Sequence, residues 1–122
     1  MAILNVTPDS FSDGGKFFSI DEALRQAEKL ISEGADILDI GGESTRPNSA
    51  RVSAHEEIRR VCPIIVAISK RFDIPISIDT SKAEVAESAI NAGAEIINDV
   101  SGLRFDERIA EVVSKFKTGL VL

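Results

Sequence analysis

Four amide and carboxylate residues, Asn5, Asp39, Asp79 and Asn98, fall near the ends of short apolar runs in this 122-residue chain. Each is flanked by aliphatic side chains: Leu4 and Val6, Leu38 and Ile40, Ile78, and Ile97. Side chains alternate between the faces of a strand, so the aliphatic neighbours point one way and the polar residue the other. On parallel strands curving into a barrel, the four polar groups would converge near one rim. Burying them unpaired would cost about 1–3 kcal/mol each. They must therefore satisfy one another or hold a ligand. Mutual satisfaction carries real weight, most of all for Asp39, which lies deepest. Two Asn and two Asp also suit a heterocycle rich in donors and acceptors, or a hard cation with oxygen ligands.

The densest polar stretch is DILDIGGESTRP, residues 36–47. Ile37, Leu38 and Ile40 are strand formers, and Gly41 and Gly42 close the run. Glu43, Ser44, Thr45, Arg46 and Pro47 follow in a loop. An ordinary polar turn is the common reading of such a loop. Sites in α/β folds nevertheless sit at the carboxyl ends of strands, and the same pattern recurs on three other strands here.

The elements that must position these residues alternate. Strands are expected over 2–6, from about 36, over 76–80 and over 95–99, with a fifth opening at Gly119. Helices are expected over 20–33, from Ser53 to about Arg71, from Ser81 to Asn91, and over 107–117. Three capping boxes mark helix starts: Ser19 with Glu22, Ser53 with Glu56, and Ser81 with Glu84. Gly34 and Gly93 stand where helices should stop. Strands alternating with helices give a parallel sheet with crossover helices. Residues 7–19 form a long loop rich in Pro, Asp, Ser and Gly, of a length more often functional than idle.

Composition bounds the function. Hydrophobic residues make 43% of the chain and charged ones 28%, as in a soluble globular domain. The net charge of −6, with no basic stripe, argues against a nucleic-acid partner. No apolar run is long enough for a membrane span. A single cysteine, Cys62, cannot form an internal disulfide and fits a cytoplasmic location. His55 and Cys62 fall in a helix and read as structural. Lys82, at a helix start, reads as a solvated lysine rather than a phosphate ligand.

LNVTPDSFSDGG at 4–15 and GGESTRP at 41–47 closely resemble the two signature motifs of the dihydropteroate synthase family. SIDTSK at 77–82 and IIND at 96–99 are similar to that family's third and fourth strand ends. The resemblance implies a TIM (β/α)8 barrel. It implies a transferase that joins 6-hydroxymethyl-7,8-dihydropterin pyrophosphate to p-aminobenzoate, with Mg2+, in folate biosynthesis. By the same resemblance, Asn5 is a Mg2+ and pyrophosphate ligand, and Asp13 orders the first loop over the pyrophosphate. Asp79 and Asn98 hydrogen-bond the pterin, and Phe11, Thr45, Arg46 and Pro47 lie on the p-aminobenzoate side. Asn5, Asp13 and Arg46 form the catalytic set. No nucleophilic side chain is needed, because the arylamine attacks.

A whole barrel takes about 250 residues. The expectation is therefore an α/β chain holding the N-terminal half of a pterin-binding barrel domain over 1–122: four βα units and the start of strand five, as a truncated piece. Open sheet edges invite pairing, so a homo-oligomer is expected. The later pterin and phosphate contacts of the family have no counterpart in this stretch. The alternatives are a pterin-binding fragment without turnover, a half-barrel related to pterin-binding methyltransferases, and a folding unit with no activity of its own.

Overall fold

The computed structural model describes residues 2–6, 20–42, 53–99, 108–116 and 119–121. Among these residues five strands alternate with four helices: β1 (Ala2–Asn5), α1 (Ile20–Ser32), β2 (Leu38–Gly41), α2 (Ala54–Arg71), β3 (Ile76–Asp79), α3 (Ala83–Ala92), β4 (Ile96–Asn98), α4 (Arg108–Phe116) and β5 (Gly119–Val121). All five strands are parallel, in the order β1-β2-β3-β4-β5. That sequential order has no reversal point, which sets it apart from a doubly wound sheet. It is the order of a barrel wall, as expected from the alternation.

Register settles which residues share a face. Leu4, Ile40, Ile78 and Ile97 are successive partners across β1 to β4. All four are at most 1% exposed, packed beneath the helices. Burial of such a side chain contributes about 1.5–3 kcal/mol, so this row anchors the sheet. Ala23 and Ala27 of α1, Val61, Ile65 and Ile68 of α2, Val85 and Ala89 of α3, and Ile109 of α4 join it in the core. The next row, Ile3, Asp39, Ser77 and Ile96, looks the opposite way. Ile3 there is 63% exposed, so the two faces of β1 differ sharply.

The helix ends follow local chemistry. Ser53 caps α2, its Oγ accepting from the Glu56 N–H at 3.2 Å. Pro63 lies inside α2, and the helix continues through it. Gly34 (φ +103°) and Gly93 (φ +133°) turn the chain out of α1 and α3 with backbone angles that favour glycine. The capping box expected at Ser81 is corrected: the N-cap of α3 is Lys82, with no side-chain cap hydrogen bond. Other boundaries differ from the expected ones by a residue or two, as helix and strand ends do. The Ser19 box and the loop 7–19 lie outside the described residues.

Candidate functional site

The sequence ISID makes β3 a strand whose apolar side chains share one face, with Ile76 and Ile78 buried against the helices. Ser77 and Asp79 therefore point to the other face. Asp79 partners Gly41 on one side and Asn98 on the other, and Gly41 partners Asn5. One row at the carboxyl ends of four strands thus reads Asn5, Gly41, Asp79, Asn98. Gly41 keeps this row open at the carboxylate: a Cβ there would stand 3.4 Å from Asp79 Cβ and 3.5 Å from its Oδ2. Asp79 and Asn98 are both half-buried.

Asp39 sits one layer below and is 2% exposed. Its Oδ2 accepts from Asn98 Nδ2 at 3.2 Å. Burial raises its pKa above the ordinary 3.8, opposed by the neighbouring Ser77 hydroxyl and the Asn98 amide. The Ser77 hydroxyl opposes the shift from nearby without completing a hydrogen bond. Asp39 Oδ1 and Ser77 Oγ are both buried with no hydrogen-bond partner among the described residues. Mutual satisfaction therefore accounts for one side of Asp39 and leaves the other as a polar floor under the row.

The structure brings Asp79 and Asn98 together as register partners, with Asn5 in the same row by its backbone position. Phe11, Asp13, Thr45, Arg46 and Pro47 lie outside the described residues. His55 is exposed. Cys62 is half-buried, and burial pushes its thiol pKa above the ordinary 9.0, which fits a structural role.

One residue beside the row, Lys82, was read differently in the sequence, and its partner Glu57 was not singled out. Lys82 is not simply solvated: its Nζ pairs with the carboxylate of Glu57, a residue of α2 whose side chain is 2% exposed. Thr80 Oγ1 also donates to Glu57 Oε2 at 3.2 Å. Glu57 was legible in principle, because it shares the helical face of Val61, Ile64, Ile65 and Ile68.

The whole chain, residues 1–122, matches the family described as pterin binding enzyme. The chain belongs to the pterin binding enzyme family. Among its relatives is a dihydropteroate synthase of Clostridium beijerinckii, 60% identical over 116 residues, covering 95% of this chain and 43% of the relative. Its backbone is similar to a dihydropteroate synthase crystal structure from Clostridium difficile solved in the presence of pteroic acid, with a TM-score of 0.92 and 52% identity over 98% of this chain and 45% of that one. A Xanthomonas albilineans dihydropteroate synthase with 4-aminobenzoic acid gives a TM-score of 0.90 and 46% identity, over 99% of this chain and 44% of that one. The chain thus spans under half the length of the relatives it matches.

Proposed function

We propose that this chain serves dihydropteroate synthesis as the N-terminal part of such an enzyme. The reaction joins 6-hydroxymethyl-7,8-dihydropterin pyrophosphate to p-aminobenzoate and releases pyrophosphate. The observation that carries the reading is the row in which Asp79 and Asn98 stand side by side, with Gly41 leaving space next to the carboxylate. The pterin offers N–H donors on its amino and ring nitrogens and acceptors on the same ring. A carboxylate and an amide meet that pattern. The relatives named above, crystallised with pteroic acid and with 4-aminobenzoic acid, support the same substrate class.

In this reading the arylamine nitrogen forms the new bond to the pterin methylene. The C–O bond to pyrophosphate breaks, the leaving group keeps the electron pair, and the arylamine loses a proton. Asp79 and Asn98 orient the ring so that the methylene meets the amine. Asn5 and Asp13 lie on the pyrophosphate side, and Phe11, Thr45, Arg46 and Pro47 on the p-aminobenzoate side. Mg2+ asks for about six oxygens. Among the described residues no three His, Cys, Asp or Glu side chains group to hold a metal ion. A Mg2+ would be held by Asn5 together with the diphosphate oxygens. We place the protein in the cytoplasm, in keeping with its one unpaired cysteine. The exposed Ile3 on the open sheet face supports self-association, which light scattering tests.

Isothermal titration with 6-hydroxymethylpterin, and with its dihydro pyrophosphate plus Mg2+, tests the assignment. Pterin binding that Asp79→Ala abolishes supports it, and an unchanged titration in that variant overturns it. Binding without product in the presence of p-aminobenzoate selects a second reading, a pterin-binding module without turnover.

A further inference from the structure

Glu57 is an acid buried to 1% exposure in the first turn of α2. Its carboxylate reaches the turn after β3, 23 positions on at Thr80 and 25 at Lys82. Thr80 Oγ1 donates to Glu57 Oε2 at 3.2 Å and accepts from the Lys82 N–H at 3.1 Å. The Thr80 N–H donates to the Asn98 carbonyl oxygen at 3.2 Å. Lys82 Nζ pairs with Glu57 Oε1. Thr80 and Lys82 lead into the first turn of α3, so these contacts tie that turn to α2. An apolar pair of equal volume is often as stable as a buried ion pair, or more so. Stability alone therefore does not account for Glu57. What the carboxylate adds is direction: it fixes Thr80 and Lys82, the residues that follow Asp79.

We propose that Glu57 is a positioning residue, which through Thr80 and Lys82 sets the β3–α3 turn and with it the orientation of the Asp79 carboxylate towards the pterin. This rests on the reading of Asp79 as a pterin contact. Arg60, one turn along α2, performs the equivalent task for β2. Its Nη1 donates to the Gly42 carbonyl at 2.9 Å while its Nε is held by Glu56 at 3.1 Å. One helix thus ties down the residues that follow two of the row's four strands, β2 and β3.

The test compares the parent chain, Glu57→Gln, and the double variant Glu57→Gln/Lys82→Met, which leaves no buried charge unpaired if the single variant folds poorly. Three quantities are read: affinity for 6-hydroxymethylpterin, the urea midpoint, and hydrogen exchange of the residue-82 amide without ligand. We expect the folded variants to bind the pterin about tenfold more weakly or worse. We expect the residue-82 amide to exchange faster, while the midpoint of the double variant stays near that of the parent. Pterin affinity within about twofold of the parent in the folded variants overturns the proposal. If the parent binds no pterin, the function proposed above fails. Glu57's hold on the turn is then decided by exchange alone: unchanged protection overturns it, and faster exchange upholds it.

Discussion

Asn98 reaches across β3 to Asp39: its Nδ2 donates to Asp39 Oδ2 at 3.2 Å, linking β4 to β2 on the open face. An ionised carboxylate only accepts, so the contact dictates which end of the amide faces Asp39. Asn98 Oδ1 is turned away from it, in the row where Asp79 is the neighbour. The layer beneath the row therefore sets the polarity that Asn98 presents.

Asp39 should make stability depend on pH in a particular sense. Burial raises its pKa above 3.8, so the folded chain binds this proton more tightly than the unfolded chain does. Stability then falls as pH rises from 3.8 through the raised folded value, and stays lowered above it. Asp39→Asn removes the ionisation and keeps an acceptor for Asn98. Urea melts should show the variant matching or exceeding the parent at pH 7, with the difference vanishing as pH falls below that window. A parent more stable than the variant by over ~1 kcal/mol at pH 7 contradicts this account.

Gly41 and Gly42 should respond differently to a methyl group. At Gly41 the new Cβ meets Asp79 at 3.4 Å, an ordinary contact, so Gly41→Ala should keep stability within about 1 kcal/mol. It should still weaken pterin binding by crowding the carboxylate. At Gly42 the Cβ would lie 2.9 Å from Val61 Cγ1. Gly42→Ala should therefore cost about 1–3 kcal/mol in a chemical melt, through overpacking.

Gly93→Ala combines two penalties. The backbone there has φ +133°, and the added Cβ would come within 2.9 Å of both Ser69 Cβ and Oγ. Expected destabilisation is about 1–3 kcal/mol. A melting midpoint equal to the parent's would show that the α3–β4 turn relaxes more freely than this geometry allows.

Ser53→Ala removes the acceptor for the Glu56 N–H at the start of α2. The cost should be about 1 kcal/mol, read as a lowered urea midpoint. Ser53→Asp, which restores a capping oxygen, should recover most of it.

Much of this arrangement was legible in the chain, because two periodicities carry it. Alternation placed Leu38 and Ile40 opposite Asp39, and Ile78 opposite Asp79, and the register agrees. Strand–helix alternation gave the parallel order. Hydrogen bonds between distant elements were not legible. Glu57 follows Glu56 in what looks like a solvated first turn, and only its spacing from Val61 and Ile64 marks it as buried. Lys82 looked solvated for the same reason, since its partner lies on another helix. Ser81 is not the cap: Lys82 takes that position, and its N–H donates to Thr80 Oγ1 instead. Which acceptor Asn98 would choose also depends on three-dimensional placement, since Asp39 and Asp79 are both within its neighbourhood.

The strand order has a consequence for how the protein comes into being. Among the described residues, each strand pairs with those before and after it in the chain. Every new strand–helix unit can therefore dock on a surface that synthesis has already delivered, without waiting for a remote segment to emerge. Assembly can keep pace with the ribosome, and the newest strand is always the exposed growing margin.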